Sequence, residues 1–570
     1  MVRNNGVKAE KRPKIARSTV DGPRGSAVWF GPTAQRIKNW RDTSMKRIAH
    51  TARIMAMLLV VGLSTEGTAA QTEMGEVNPP ARHDAVLTSP GPADAPSPRQ
   101  QPAVPTPGAT RDEPSPPAVS PRPPAKALAG PKFLDLRYDE DFSYLDGERG
   151  SYKTDFFDPI KYIDLGDGWH LTLGGEFRFR LEAEDNFAFA SRRKSQDTFQ
   201  LYRYMLHADL RYQDRFRVFL QGASLHDEDR DLPDRPFDEN ELALQQLFVD
   251  VRPFGDNTPL LIRFGRQDLM YGAERFVSPL RWVNSRRRFD AVKLVYQAPK
   301  WQFDVFYAKP VLPIRRAEFD IYNEEFDFYG AYWTYRGIPN HGVDVFFFAN
   351  DDTQNRTNPN GRSGDVTRFT LGGRFHGKRS GFDYDAMLAG QWGRWAGDSI
   401  RAWAWTLDGG YTIGALKYKP RIGAGFDWAS GDRNPTDRTV QTFDQLFPLG
   451  HKYLGFMDFF GRQNIQSVNV NVSAWPIPKK VKARLAYLAF WLESKDDAIY
   501  NVGGAPGRRD PTGQSGREIG HEIDLTVLWK VDPHQSLLLG YSHFFDSDVI
   551  INTGPSEDAD FFYVQYSFKF

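Results

Sequence analysis

Cysteine is absent from all 570 residues. That absence excludes thiolate metal sites, haem attachment, thiol nucleophiles and disulfide staples, and it suits a chain that crosses an oxidising compartment unfolded. Long apolar runs are missing too. With 40% hydrophobic residues and a mean hydropathy of −0.55, the chain cannot build a bundle of membrane-spanning helices. The one continuous apolar stretch near the start, residues 54–63, is half the roughly 20 residues that a spanning helix needs. It follows Met45-Lys46-Arg47 and precedes Thr68-Ala69-Ala70, so residues 45–70 read as a secretory signal peptide. Residues 1–44 are basic and aperiodic and read as a non-native or extended N-terminus, with translation starting at Met45. A strong basic excess is lacking as well. Removing residues 1–70 takes away 13 Lys/Arg and 4 Asp/Glu, leaving 60 against 68. The mature chain is therefore acidic, which argues against a nucleic-acid partner.

What is plentiful is proline early and aromatic residues later. Residues 71–131 carry 16 of the 39 prolines among Ala, Ser and Gln. Such a stretch cannot form a core, and it reads as a disordered Pro-rich linker serving as a periplasmic tether. Residues 132–167, rich in Asp, Tyr and Phe, are expected to form a periplasmic segment leading into the main domain, residues 168–570.

That domain alternates with period two. In residues 169–182, Trp169, Leu171, Leu173, Phe177, Phe179 and Leu181 share one face, while Glu176, Arg178, Arg180 and Glu182 share the other. Residues 201–212, 479–491 and 519–531 behave likewise, with polar faces that include Arg203, Asp209 and Arg211, then Arg484, then Glu522 and Asp524. Soluble half-buried strands share this period, so length and flanks must decide. These runs exceed the usual soluble strand of about 5 to 6 residues and suffice for the roughly 9 to 11 that a tilted membrane strand needs. Trp and Tyr recur near their ends, as an interfacial girdle requires, and short turns alternate with long polar loops such as 351–365, 431–449 and 494–517. The expected fold is all-β, a transmembrane antiparallel β-barrel of about 18 strands, wide enough to hold water. The chain ends on Phe562, Val564, Tyr566, Phe568 and Phe570, one apolar face opposite Gln565, Ser567 and Lys569. This last strand is expected to close the sheet against residues 169–182, beside Arg178 and Arg180.

Several segments resemble the alginate-export family of outer-membrane barrels. They are Thr154-Asp155-Phe156-Phe157-Asp158-Pro159-Ile160, Gly166-Asp167-Gly168-Trp169 running into Leu173-Gly174-Gly175-Glu176, and Arg263-Phe264-Gly265-Arg266-Gln267-Asp268-Leu269. Arg288-Phe289-Asp290, Asp427-Trp428-Ala429-Ser430-Gly431-Asp432, Gly450-His451-Lys452-Tyr453-Leu454-Gly455 and Gly520-His521-Glu522-Ile523-Asp524 follow in order. The resemblance implies an 18-stranded barrel that conducts an anionic exopolysaccharide outward through an arginine-rich constriction with nearby carboxylates. Resemblance to outer-membrane proteins more widely implies that the aromatic-ended final strand is read by barrel-insertion machinery. The Pro-rich extension is not part of that pattern.

An export channel needs a wet pore whose fixed charges offset the self-energy of a polyanion. Arginine suits the task because its planar, permanently charged fork meets carboxylates at two points. Strand parity places Arg178, Arg180, Arg203, Arg211, Arg263, Arg368, Arg374, Arg421 and Arg484 toward the lumen, with Glu176, Asp209, Asp408, Asp427, Glu522 and Asp524. Arg266 is off parity with Arg263 and faces the pore only if Gly265 marks a bulge. Lumenal arginines also pair with carboxylates across strands simply to satisfy one another, so the set matters more than any one member.

No catalytic or cofactor pattern stands out. Residues 372–378 fit a phosphate-loop spelling by letter, but Arg379 replaces the required Ser/Thr and the segment reads as a strand end. The 11 histidines lack metal-ligand spacing. Neither an enzyme activity, a metal nor a cofactor is expected. The expected partners are an anionic polysaccharide, outer-membrane lipid and the insertion machinery, with a periplasmic secretion scaffold as a further candidate, and the chain is expected to be a monomer. An uptake porin for small organic acids or other nutrients is the alternative function, because the same basic lumen would serve it.

Overall fold

The computed structural model describes residues 130–147, 152–189, 195–233, 235–255, 258–314 and 320–570. The expected N-terminal extension (1–44), signal peptide (45–70) and Pro-rich linker, the last as far as residue 129, lie outside the described residues.

A short strand, β1 (Ile163–Gly166), folds back on β2 (Trp169–Asp185). The chain then runs through β3 (Asp197–Tyr212), β4 (Phe216–Glu228), β5 (Asn240–Val251), β6 (Leu260–Gln267), β7 (Phe289–Gln297), β8 (Trp301–Pro310) and β9 (Phe326–Tyr335). It continues through β10 (His341–Thr357), β11 (Ser363–Arg379), β12 (Phe382–Trp395), β13 (Asp398–Thr412) and β14 (Arg421–Ala429). The two-residue β15 (Thr439–Val440) sits beside β13, and β16 (Ile465–Ile477), β17 (Val481–Leu492), β18 (Glu518–Lys530), β19 (Gln535–Asp546) and β20 (Ala559–Lys569) complete the sheet. Without β1 and β15, 18 strands pair antiparallel with their neighbours. β20 closes the circle on β2, from Glu176 opposite Lys569 to Asp185 opposite Asp560. Phe570 extends this seam by one step, exchanging two backbone hydrogen bonds with Gly175 at 2.9 and 3.0 Å. Closure leaves no edge of unpaired backbone groups, the condition for crossing a bilayer with strands.

Alternation sorts the side chains as the pleat demands. Tyr204, Leu206, Phe264, Leu371, Leu388, Trp403, Leu407, Leu485, Tyr487 and Leu525 are exposed on the outer surface, while Arg178, Arg203, Phe219, Phe248, Phe306 and Asp427 are buried inside. One connection departs from the sequence reading. Residues 351–365 are not a long loop, because β10 runs to Thr357, β11 starts at Ser363, and only 358–362 turn. Asp351, Asp352 and Asn355 extend a hairpin whose end is polar on both faces, so the membrane period stops there while strand pairing continues.

A barrel of this size ordinarily leaves an aqueous channel, yet two long connections fold inward and fill much of it. Residues 268–288 and 430–464 bring Leu269, Phe276, Val277, Phe443, Leu454, Met457, Phe459 and Phe460 against inward-facing Phe289, Phe306, Phe328, Phe346, Phe490 and Phe544. A parallel bridge from Val277 to Phe447 and hydrogen bonds of 2.8 to 2.9 Å at Phe276, Ser278 and Leu449 join the two connections. Residues 133–146 come inward from the opposite end, where Leu136 and Tyr138 pack on Phe219 and Phe248.

Candidate functional site

The residues that shape the lumen begin with two arginines on neighbouring strands. Arg178 on β2 and Arg203 on β3 stand directly opposite each other in the ladder, and both reach the backbone of the first inward connection. Arg178 donates to the carbonyls of Arg281 and Trp282 at 3.0 Å and to Asn284 Oδ1 at 2.9 Å. Arg203 donates to the carbonyls of Val283 and Asn284 and pairs with Glu176 at 3.1 Å. A guanidinium offers five donors and cannot lose its charge at physiological pH, so these two satisfy backbone carbonyls that folding has removed from water.

Beside this anchor lies a cavity of about 270 Å³. Six cationic side chains line it: Arg178, Arg203, Arg281, Arg286, Lys452 and Lys569. Among the described residues, only Glu176 and Asp135 oppose them with carboxylates, while Gln565 and Ser567 of β20 complete the wall. Several cations are already partnered, Arg281 with Glu274 and Asp135, Arg286 with Asp268 at 2.5 Å. Burial, aided by neighbouring Arg286, pulls the Arg281 guanidinium down to about 10, which still leaves it charged at neutral pH. Lys452 makes no ion pair among the described residues and is exposed to the chamber.

A stack of rings spans the lumen at the chamber's edge. The Arg180 guanidinium lies 3.9 Å from the centre of Trp282, Trp282 stacks on His451 at 3.8 Å and 13°, and His451 stacks on Phe456 at 4.5 Å. Arg484 of β17 ends the series, 5.7 Å from the Phe456 ring. The stack therefore runs from one wall through both inward connections to another. Each such contact contributes on the order of 0.5 to 2 kcal/mol.

The remaining residues expected to line the pore are spread around the barrel. Arg180 also pairs with Glu182 at 2.6 Å, and Arg211 with Asp209 at 2.8 Å. Arg263 forms a two-point pair with Asp250 at 2.7 and 2.8 Å. Arg368 reaches Asp444 of the second inward connection at 2.9 Å, Arg374 bridges Asp344 and Asp385, and Arg421 makes a two-point pair with Asp383. Asp427 holds Arg462 at 2.8 Å and Arg275 at 3.3 Å, and Arg275 also pairs with Asp408. Glu522 accepts the Met457 N–H at 3.0 Å and Asp524 accepts the Ser542 hydroxyl at 2.6 Å. Of the expected set, only Arg178 and Arg203 line the chamber, with Glu176 beside them. Arg266 is a correction. Gly265 has φ +126°, where a Cβ would collide with the Leu247 carbonyl, but the register runs through it unshifted. Arg266 therefore shares the face of exposed Phe264 and pairs with Asp290 across the ladder at 2.7 Å.

Parity could not find Arg281, Arg286, Trp282, His451 or Lys452, because they sit on connections without a period. A signal was present in composition, since residues 281–288 hold four arginines. Among the described residues, no group of three His, Asp or Glu is placed to hold a metal ion.

The sequence model of the family described as alginate export matches residues 169–564, from the first barrel strand into the last. A search of curated proteins returned no match. Similar folds occur in the solved structures of Pseudomonas aeruginosa OccD3 (11% identity over 72% of this chain and 93% of that one, TM-score 0.47) and OpdO (11%, 70% and 97%, TM-score 0.48). The outer membrane protein OprD of the same organism is similar at 12% identity over 70% of this chain and 93% of that one, with a TM-score of 0.47. The family match covers the closed barrel, and the chain belongs to the alginate export family as an outer-membrane β-barrel channel protein.

Proposed function

We propose that this channel passively exports an anionic, alginate-like exopolysaccharide, whose carboxylates pass the cationic chamber. The observation that carries the reading is the chamber lining, which among the described residues sets six cations against two carboxylates between both inward connections and the β2–β20 wall. A sugar carboxylate entering such a site meets fixed charges that replace part of its hydration, and arginine's fork offers it two-point contacts. Chamber size supports stepwise passage. Its volume lies below the roughly 300 to 1,000 Å³ usual for small-molecule sites, so it holds a short stretch of polymer at a time. Weak, repeated contacts let each residue leave for the next. No energy source is required of the barrel itself, and polymerisation elsewhere would drive the movement.

Deletion of the gene tests the proposal when extracellular acidic polysaccharide is scored beside growth on small organic acids. Loss of secreted polymer with unchanged growth on the acids supports export. Unchanged secretion with impaired growth on the acids overturns it in favour of nutrient uptake.

A further inference from the structure

The segment before the barrel lies inside the lumen among its arginines. Residues 133–142 enter the lumen with Leu136, Arg137, Tyr138, Glu140 and Phe142 all buried. Arg137 fastens the segment to the closing seam, donating to the carbonyls of Gly175 and Phe570 at 2.8 Å each while pairing with Glu140 at 2.6 Å. The Tyr138 ring sits edge-on to Phe219 and Phe248 at 5.9 and 5.2 Å, 4.2 Å from the Arg263 guanidinium. Its hydroxyl donates to the Asp268 carbonyl at 3.3 Å.

The oxygens of this segment meet a row of arginines. The Tyr138 carbonyl accepts from Arg217 at 2.6 Å and from Arg211 at 3.5 Å, and the Glu140 carbonyl accepts from Arg211 at 3.3 Å. The Asp135 carbonyl accepts from Arg286 at 3.2 Å, and the Asp135 carboxylate pairs with Arg281. Asp135, Arg281 and Arg286 all line the chamber. Two carbonyls and a residue with both a carbonyl and a carboxylate thus take up donor capacity on four arginines that face the lumen.

We propose that residues 133–142 are a built-in plug, a pseudo-cargo whose oxygens hold the arginines of the path until the segment leaves. The imitation of cargo rests on the export reading above, whereas the plug itself does not. Because Arg137 and Tyr138 contact the barrel through hydrogen bonds and ring packing without forming its wall, they can be changed while all 18 strands are kept.

Single-channel recording in potassium chloride tests the plug. The R137A/Y138A variant loses the three side-chain hydrogen bonds that join the segment to Gly175, Phe570 and Asp268, each worth about a factor of 2 to 13, so its open fraction is expected to rise at least about tenfold. Because the chain has no cysteine, Tyr138→Cys with Phe248→Cys gives one thiol pair, which a short reducible bifunctional reagent can bridge. The bridged protein is expected to be silent and to regain current on reduction; a bridged protein that conducts like its reduced form overturns the plug, whether or not R137A/Y138A folds. Bridging rates measured with a short oligouronate or a neutral oligosaccharide separate the two claims. Slower bridging with the oligouronate alone supports the imitation, and equal rates overturn it while leaving the plug to the current measurement.

Discussion

Lys452→Gln is the cleanest perturbation of the chamber, because Lys452 makes no ion pair among the described residues and anchors neither inward connection. The change removes one of six cations while keeping a polar side chain of similar length. A unit charge about 5 Å from a passing anion is worth about 3 kcal/mol at an effective dielectric of 20 and about 0.8 kcal/mol at that of water. At about tenfold per 1.4 kcal/mol, these limits correspond to a loss of anion preference between roughly fourfold and more than a hundredfold. Lys452 is open to water, so the lower limit is expected. Reversal potentials in planar bilayers across a chloride gradient give the permeability ratio directly. The effect is expected at about 0.01 M salt, where the screening length is about 30 Å, and should vanish near 1 M, where it is about 3 Å. An unchanged ratio at low salt, or an equal loss at high salt, would refute the electrostatic argument.

Three further outcomes follow from other contacts. Trp282→Ala removes the ring held between Arg180 and His451, so the inward connections should part more often, seen as more frequent openings in single-channel records from protein that still migrates as a folded barrel. Asp427→Asn leaves Arg275 and Arg462 buried without their shared carboxylate; a loss toward the lower end of about 3 to 5 kcal/mol is expected, checked by a lower temperature of unfolding in the heat-modifiable gel shift. Burial raises the Asp432 carboxyl from 3.8 to about 6, assisted by the neighbouring Asp497 and Asp437 charges. A group with a raised folded pKa contributes stability below its unfolded pKa and loses it as pH rises through the folded value. Hydrogen-exchange protection around residues 430–442 should therefore fall between about pH 4 and 6, and Asp432→Asn should remove that dependence.

Much of the barrel was legible because a membrane strand must alternate. Residues 169–182 and the strand ending at Phe570 carried both their faces and their mutual pairing, since Gln565, Ser567 and Lys569 could only face the side of Arg178 and Arg180. Legibility failed where the membrane period does. The hairpin end around Asp351 to Asn355 projects beyond the apolar zone and looked like a loop. The chamber was half visible: Arg178 and Arg203 lay on strands, whereas Arg281, Trp282, His451 and Lys452 lie on inward connections whose placement depends on tertiary packing. Even the visible pair had a second duty that parity could not reveal, because Arg178 and Arg203 hold the carbonyls of residues 281–284. The plug was hidden for the same reason, as the three-residue turn at Arg137–Asp139 has no period to read.

The most direct test of the central claim is efflux from vesicles containing the purified channel. Labelled oligouronate and a neutral oligosaccharide of equal length are enclosed together, and their release is followed against protein-free vesicles. Even a channel that opens rarely will empty a vesicle given time, so the plug does not prevent the measurement. Release of the oligouronate well ahead of the neutral sugar is expected, with the difference shrinking in high salt. Equal release of the two, or preferential release of the neutral one, would contradict it.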